Sequence, residues 1–290
     1  MTGYKRAWTL LAECMRQLNI PYQGTDSLPI SVNTLIMFIG YLHYKGYAPA
    51  SITSYVSAIG YVHKIKSISD PTTSFVAQRL LAATTKLNPT TDTRLPITLN
   101  ILRQLLLALH NTALDPYVHT MIRAMFLVAF HGLMRIGELT SVASKQPALM
   151  ADNLSFREQH AILSITAFKH NNTGRPFQIV LSKQSDPVLC PLLALTDYFK
   201  LRGNSPGPLF CFPSLQPVPR TFFTNKLNLV LNLCGLNHKL YKSHSFRIGA
   251  ASFYASTGLS DEQIRLLGRW KSTAFRRYIR CQRIINALPS

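Results

Sequence analysis

The sequence predicts a mainly α-helical protein with a small antiparallel β-sheet, divided into an N-terminal helical bundle and a larger C-terminal domain. Apolar residues recur at helical spacing through most of the 290 residues. Two alternating, β-branched segments, 160–168 and 177–181, are separated by a polar, basic loop, which is typical of a hairpin or short meander. A polar stretch bounded by Pro89 and Pro96 has little apolar periodicity, so it predicts a linker.

Four short helices are predicted before the linker, because apolar side chains repeat there on one helical face. Their predicted positions are residues 4–18, a second helix capped by Ser31, residues 50–65, and residues 71–87 with Pro71 at a permitted first position. Helices of this length bury their apolar faces against one another, so the sequence predicts a bundle.

The C-terminal part is predicted to begin with two apolar helices. Thr98 or Asn100 caps the first, which runs to about His110, and Asp115 with the following proline opens the second toward Gly132. The two β segments come next, and helices return after Cys190. A short apolar run at 209–212 is a further strand candidate.

The charge balance predicts a polyanionic partner. Lys and Arg number 31 against 12 Asp and Glu, which gives a formal charge of +19. Residues 1–90 carry 8 basic and 3 acidic side chains, and residues 91–290 carry 23 and 9, so the excess is +5 and +14. Without an 18-residue apolar run or a signal peptide, a soluble intracellular protein is expected.

Neither the cysteines nor the histidines predict a metal site. The five cysteines form no CxxC pair and have no zinc-ligand spacing with any of the nine scattered histidines. We therefore expect free, reduced and mostly buried thiols. A metal-dependent nuclease would need two or three converging carboxylates, and the few acids here show no such grouping.

Two arginine motifs fit phosphate chemistry. Arg135 lies in GLMRIGELTSV, while His244 and Arg247 lie in HSFR, where i, i+3 spacing points both side chains to one helical face. Guanidinium groups match phosphate bidentately and neutralise the charge that builds when a phosphodiester breaks without a metal. The alternative roles are structural. Arg135 would then pair with Glu138, and Ser243 would cap a helix beside a packed histidine.

Together with Lys169 in the hairpin loop, the LGRWKS segment and the YIR around Tyr278, these motifs resemble the tyrosine recombinase (phage integrase) family. The sequences of these motifs are most similar to those in recombinases of eukaryotic mobile elements of the Ngaro, DIRS and Crypton kinds. The resemblance covers essentially the whole chain and rests on the order and spacing of several motifs. It implies a core-binding, SAM-like helical domain at 1–88, a linker at 89–97 and a catalytic domain at 98–290.

The resemblance also implies catalytic roles. Tyr278 would attack phosphate, leaving a 3′-phosphotyrosyl bond and a free 5′-hydroxyl. Arg135 and Arg247 would bind the phosphate oxygens, and His244 would bind the phosphate and help to manage the tyrosine proton. Lys169 would protonate the leaving 5′ oxygen.

Two of these assignments have rivals. Arg175, or less plausibly Lys183, could be confused with the hairpin lysine. The family's His/Trp position falls either on Trp270, eight residues before the tyrosine, or on Arg269, nine before it. A buried core tryptophan is the structural alternative for the first of these.

The partner implied by the resemblance is double-stranded DNA, held by a C-shaped clamp and bound as a homotetramer at synapsis. No cofactor, metal, membrane or small-molecule substrate is expected. A recombinase from a eukaryotic element would act in the nucleus, and otherwise the protein is expected in the cytoplasm. The predicted DNA-binding residues are Lys45, Lys64, Lys66, Lys86, Arg175, Lys242, Arg269 and Lys271.

Three other functions compete with recombination. A type IB topoisomerase-like enzyme would use the same chemistry to relax DNA without partner sites. A domesticated, catalytically silent protein would use the clamp only to bind DNA. A helical DNA-binding adaptor would account for the charge but would leave the ordered motifs unexplained.

Overall fold

The computed structural model describes residues 2–89, 92–141, 149–168, 171 and 174–280. The chain divides into two units, Met1–Asp92 and Thr93–Ser290. Both are mainly helical, and the second contains a three-stranded antiparallel sheet. The predicted fold class is therefore confirmed.

Four helices build the first unit: α1 Thr2–Gln17, α2 Val32–Tyr44, α3 Pro49–Ile65 and α4 Phe75–Leu87. Their apolar faces form one core that includes Leu11, Phe38 and Ile59. The predicted cap of α2 is confirmed, because the Ser31 hydroxyl accepts the Thr34 amide at 3.1 Å.

The start of α4 differs from the prediction. Pro71–Thr73 forms a separate 3₁₀ turn, in which the Asp70 carboxylate accepts the Thr72 amide at 2.9 Å. Ser74 then has an extended backbone with ψ of 133°. The helix predicted from Pro71 therefore begins at Phe75, because the aspartate cap and the extended serine separate the turn from it.

A buried histidine joins two segments of this core. His63 is fully buried, its Nδ1 lies 2.9 Å from the Ile59 carbonyl, and its Nε2 accepts the Ile30 amide at 3.0 Å. Both ring nitrogens are thus hydrogen-bonded to the backbone. His63 is therefore structural.

The second unit contains the remaining elements. Its helices are α5 Leu99–His110, α6 Pro116–His131, α7 Ile136–Leu139, α8 Pro191–Arg202, α9 Arg220–Leu233, α10 Ser245–Ser256 and α11 Asp261–Leu267. Its strands are β1 Leu154–Phe156, β2 His160–Ile165 and β3 Phe177–Ser182. A 3₁₀ segment, Thr273–Tyr278, follows α11. The centre is α6, which is buried from Met121 almost without interruption and packs against α8 and α10.

The sheet has the order β1-β2-β3, with Leu163 opposite Ile179. Alternate β2 residues, Ala161, Leu163 and Ile165, face the core, as period-2 patterning requires. The strand predicted at 209–212 is wrong. Cys211 makes only an isolated bridge, to Pro217, because the prolines around this run prevent a continuous ladder.

The chain enters the second unit along α10. The Leu95 amide donates to the Leu240 carbonyl at 2.8 Å, and the Ile97 amide donates to the Ser245 carbonyl at 3.0 Å. A Cβ on Gly249 would lie 1.7 Å from the Ile97 carbonyl oxygen, so this close approach requires glycine. The first turn of α10 is thereby bonded to the segment that precedes α5.

The thiols Cys14, Cys190, Cys211 and Cys234 are free, and Cys281 lies outside the described residues. Within the described ranges, no helix combines the length and apolar character needed to cross a membrane. The same ranges contain no group of three or more His, Cys, Asp or Glu side chains arranged as metal ligands.

Candidate active site

Glu138 lies buried between two arginines. It belongs to α7 and is 5% exposed. Its Oε2 accepts the Arg135 amide at 2.9 Å, and its Oε1 accepts Nη1 of the same arginine at 3.1 Å. Nη2 of Arg269 donates to Oε2 at 2.9 Å from the other side. One carboxylate therefore fixes the direction of the Arg135 side chain, which remains 24% exposed.

Arg269 occupies an internal position. Its backbone adopts a left-handed φ of 55° in the turn after α11, and its side chain is 1% exposed. The guanidinium donates to the carbonyls of Gly132 and Leu133 at 3.3 and 3.2 Å. This side chain is bonded to Glu138 and to backbone carbonyls, and the assignment of Arg269 as a DNA contact remains a prediction.

Two aromatic rings flank the same guanidinium. The centroids of Phe168 and Phe177 lie 5.9 and 5.7 Å from the Arg269 guanidinium carbon. Phe168 is the described residue that precedes the hairpin loop, and Phe177 opens β3. The hairpin is thus packed against the Gly268–Trp270 turn through a cation–π contact on each side of the loop.

Arg247 lies at the centre of the cluster and is fully buried. It stands in the first turn of α10, and its two terminal nitrogens donate to the carbonyls of Leu133 and Gly268. Its Nε is buried and has no hydrogen-bond acceptor among the described residues. The guanidinium carbon lies 4.1 Å from the centroid of the Trp270 ring. Arg247 is therefore held in place from several sides and covered by an indole.

Three rings meet beside this arginine. The Trp270 and Tyr278 rings are stacked, with centroids 5.5 Å apart and an interplanar angle of 28°. The His244 ring meets Tyr278 edge-on at 5.0 Å and 61°. Of the two residues that could fill the His/Trp position, Trp270 is the one that contacts Tyr278.

The backbone of Tyr278 is bonded to α10. Tyr278 ends the 3₁₀ segment, and its carbonyl accepts the Ser252 hydroxyl at 3.0 Å. The same hydroxyl accepts the Arg280 amide at 3.1 Å. On the outer side, Arg276 donates to Asp261 at 2.7 Å across an exposed pair. Helix α10 therefore supports Tyr278 as well as Arg247.

The cluster is strongly cationic. Burial lowers the pKa of Arg247, and the charges of Arg135 and Arg269 lower it further, while Glu138 acts in the opposite direction. Burial likewise lowers the pKa of Arg269, against the raising effect of Glu138. Because a guanidinium keeps its proton at neutral pH, three positive charges face one carboxylate. Such a cluster favours an incoming anion such as phosphate.

Lys169 lies outside the described residues. The predicted DNA contacts outside the cluster are all exposed: Lys45, Lys64, Lys66, Lys86, Arg175, Lys242 and Lys271. Lys64 also pairs with Asp70 at 3.7 Å. A side chain must be exposed to contact phosphate, but most lysines and arginines on a protein surface are exposed and solvated. These assignments therefore remain predictions.

Two site residues were not singled out from the sequence. The sequence predicts Glu138 only as a structural partner of Arg135, and the structure shows that it also binds Arg269. Ser252 belongs to no predicted motif, although a small polar residue in an apolar stretch five positions after Arg247 is a signal of a buried hydrogen bond.

A chemical role follows for this arrangement. The Tyr278 phenol contacts an imidazole and an indole at the edge of an arginine cluster. Guanidinium groups can neutralise the non-bridging oxygens of a phosphodiester, and a phenol can act as a nucleophile toward phosphorus. The arrangement therefore fits phosphoryl transfer through the tyrosine.

Neither models of protein families nor curated proteins yielded a match to the sequence. Solved structures do share its fold. A lambda integrase tetramer bound to a Holliday junction is similar at 15% identity, with a TM-score of 0.56 over 94% of this chain and 71% of that one.

Two further structures match at least as well. XerH site-specific recombinase, in a post-cleavage complex with a palindromic difH substrate, has 13% identity and a TM-score of 0.61 over 96% of this chain and 74% of that one. The Tn1549 transposon integrase, in complex with circular intermediate DNA, has 13% identity and a TM-score of 0.57 over 97% and 99%. At these identities the comparisons show a shared fold.

Proposed function

We propose that this protein is a tyrosine recombinase that cleaves and rejoins DNA strands through Tyr278. The observation that carries the proposal is the contact of Tyr278 with His244 and Trp270 directly beside the buried Arg247. Twelve tyrosines are present, and this one ends the segment bonded to the arginine-bearing helix. The fold shared with DNA-bound integrases and recombinases supports the same function.

The proposed reaction is a balanced transesterification. The Tyr278 oxygen bonds to phosphorus while the bond from phosphorus to the 5′ oxygen breaks. The phenol proton passes to His244, and the leaving 5′ oxygen takes a proton from Lys169. Arg135 and Arg247 neutralise the non-bridging oxygens. Rejoining reverses these steps with the 5′-hydroxyl of another strand, so no ATP is consumed.

Trp270 takes the family's His/Trp position in this proposal. Its ring contacts both the nucleophile and Arg247, whereas Arg269 binds Glu138 and acts on Arg135 through it. The indole therefore buttresses the tyrosine, and Arg269 is a positioning residue.

The biological setting is also part of the proposal. The sequence resemblance to recombinases of eukaryotic mobile elements favours mobilisation or integration of such an element in the nucleus. The net charge of +19 supports DNA as the substrate. The tetrameric lambda integrase with the same fold supports a homotetramer at the paired sites.

The test is covalent capture. A target duplex is selected from a randomised pool by binding to the Tyr278→Phe variant, and a nick is then placed near each candidate cleavage position. We expect the wild-type chain to form a covalent protein–DNA band on a denaturing gel in the presence of EDTA. Tyr278→Phe should form none, while Tyr61→Phe, which changes an exposed tyrosine of the first unit, should form the band normally.

One observation favours a second candidate function, DNA binding without cleavage. Arg247 is covered by Trp270 and already donates to two carbonyls, as a purely structural arginine would. This candidate predicts tight binding of the selected duplex with no covalent band at any nick position. A band that requires Tyr278 would eliminate it.

A further inference from the structure

Ser252 lies where the proposed catalytic helix meets the segment that carries Tyr278. Its hydroxyl donates to the Tyr278 carbonyl at 3.0 Å and accepts the Arg280 amide at 3.1 Å. One side chain is thus bonded to the backbone on both sides of residue 279. The residue is 8% exposed, so little water competes for these bonds.

We propose that Ser252 is a positioning residue that sets the direction of attack by Tyr278; this inference rests on the proposed function. The Tyr278 carbonyl is among the last of a 3₁₀ segment, and such carbonyls lack partners within their own segment. Ser252 supplies the missing donor. Without it the carbonyl would turn toward water, and the phenol would turn with its backbone.

The consequence is a fixed relation between nucleophile and phosphate-binding arginine. Arg247 and Ser252 stand five residues apart on α10, about 7.5 Å along the axis. The backbone of Tyr278 is therefore held by the same helix that carries Arg247, and not only by the segment that precedes Tyr278 in the chain. A misplacement of about 1 Å in such a geometry lowers a rate by up to about 100-fold.

The cavity beside Ser252 allows a clean test. About 270 Å³ of space is lined by Ser252 together with Gly249, Phe253 and Ser256, so an added methyl group has room. Ser252→Thr and Ser252→Val then differ only in a hydroxyl against a methyl group. Ser256→Ala is the matched control, since Ser256 lies on the same helix and donates to the Phe253 carbonyl within that helix at 2.7 Å.

The experiment measures single-turnover cleavage of the selected nicked duplex at saturating DNA, and the dissociation constant for the same duplex. We expect Ser252→Ala and Ser252→Val to slow cleavage by about 10- to 100-fold with DNA affinity changed less than about 3-fold. Ser252→Thr should restore most of the rate, and Ser256→Ala should retain the wild-type rate.

The outcomes separate the two proposals. If the wild-type chain forms no adduct, the proposed function fails. If the wild-type chain cleaves and Ser252→Val cleaves as fast as Ser252→Thr, the hydroxyl has no positioning role and the inference is overturned. If all three Ser252 variants are equally slow, the packing of the site and not its hydrogen bond is responsible, and the inference is again overturned.

Discussion

Trp270 contacts both Arg247, whose guanidinium carbon lies 4.1 Å from the indole centroid, and the ring of Tyr278, which is stacked on it. The arginine proposed to bind phosphate and the tyrosine proposed to attack it are therefore separated by one aromatic side chain. Since Arg247 is fully buried and Trp270 covers it, we expect this stack to rearrange when phosphate binds.

The rearrangement is measurable by fluorescence. Trp8→Phe leaves Trp270 as the sole tryptophan, and a charged guanidinium next to an indole affects its emission. We expect the emission of Trp270 to change and saturate as the selected duplex is added. Trp270→Phe, which retains Trp8, should give a smaller response. Constant Trp270 emission while the duplex binds by another assay would contradict phosphate entry at Arg247.

Arg247→Lys should separate cleavage from binding. A lysine ammonium lacks the planar fork that reaches two carbonyls and matches phosphate oxygens. Loss of a preorganised donor predicts a fall in cleavage rate of about 100-fold or more. Affinity for the duplex should change less, since the side chain is buried. Arg103→Lys, at an exposed pair with Asp186, is the control and should cleave normally.

Glu138→Gln should destabilise the second unit. Glu138 is the carboxylate between Arg135 and Arg269, and its loss leaves the buried Arg269 without an ionic partner. We expect the free energy of unfolding to fall by about 3 kcal/mol or more. Urea unfolding followed by Trp270 fluorescence in the Trp8→Phe background measures it. The exposed pair Glu262–Arg265 supplies the control, since Glu262→Gln should change the free energy of unfolding by less than about 1 kcal/mol.

His131 should make stability depend on pH below neutrality. It is buried at the end of α6 with Nε2 3.1 Å from the Leu189 carbonyl, and burial lowers its pKa to about 4. The unfolded chain binds the proton near pH 6.5, so between pH 6.5 and 4 protonation favours unfolding.

Between pH 6.5 and 4 the free energy of unfolding is expected to fall by about 3 kcal/mol. Above pH 6.5 the histidine is neutral in both states, so no such loss is expected there. Urea unfolding between pH 7.5 and 4 checks this. His131→Gln removes the titrating group, so its stability should fall less steeply over the same range. Parallel curves for the two proteins would show that other groups cause the acid sensitivity.

Salt dependence should identify phosphate contacts in the first unit. A lysine that neutralises one phosphate contributes about −0.9 to the slope of log K against log salt concentration. We expect Lys66→Gln, at an exposed position after α3, to make the slope less negative by about that amount. Lys200→Gln, which removes a lysine paired with Asp197 at 3.2 Å, should leave the slope unchanged.

Helix ends were predictable because their signals are local. The Asp115 carboxylate accepts the amides of Tyr117 and Val118, as the aspartate–proline pair predicts. Between the two suggested caps of α5, the structure selects Thr98, whose hydroxyl accepts the Ile101 amide at 3.3 Å. The start of α4 was predicted less well, since the 3₁₀ turn before it depends on Asp70.

The site was predictable in composition but not in detail. Motif order placed His244, Arg247 and Tyr278 in one segment, and the structure brings the histidine and tyrosine rings together. Spacing could not decide between Arg269 and Trp270, because neighbours in a turn with φ of 55° point in different directions. That choice depends on Glu138, which lies 131 residues away from Arg269 in the chain.

The entry of the chain into the second unit also has a mechanical consequence. The Ile97 amide is bonded to the Ser245 carbonyl, and the Ile97 carbonyl fits against Gly249 where no side chain could stand. A pull on the peptide that precedes Leu95 would therefore load the Leu240 carbonyl first and then, through Ile97, the first turn of α10. The helix that bears Arg247 and Ser252 thus receives part of any tension that the entering peptide transmits to this unit.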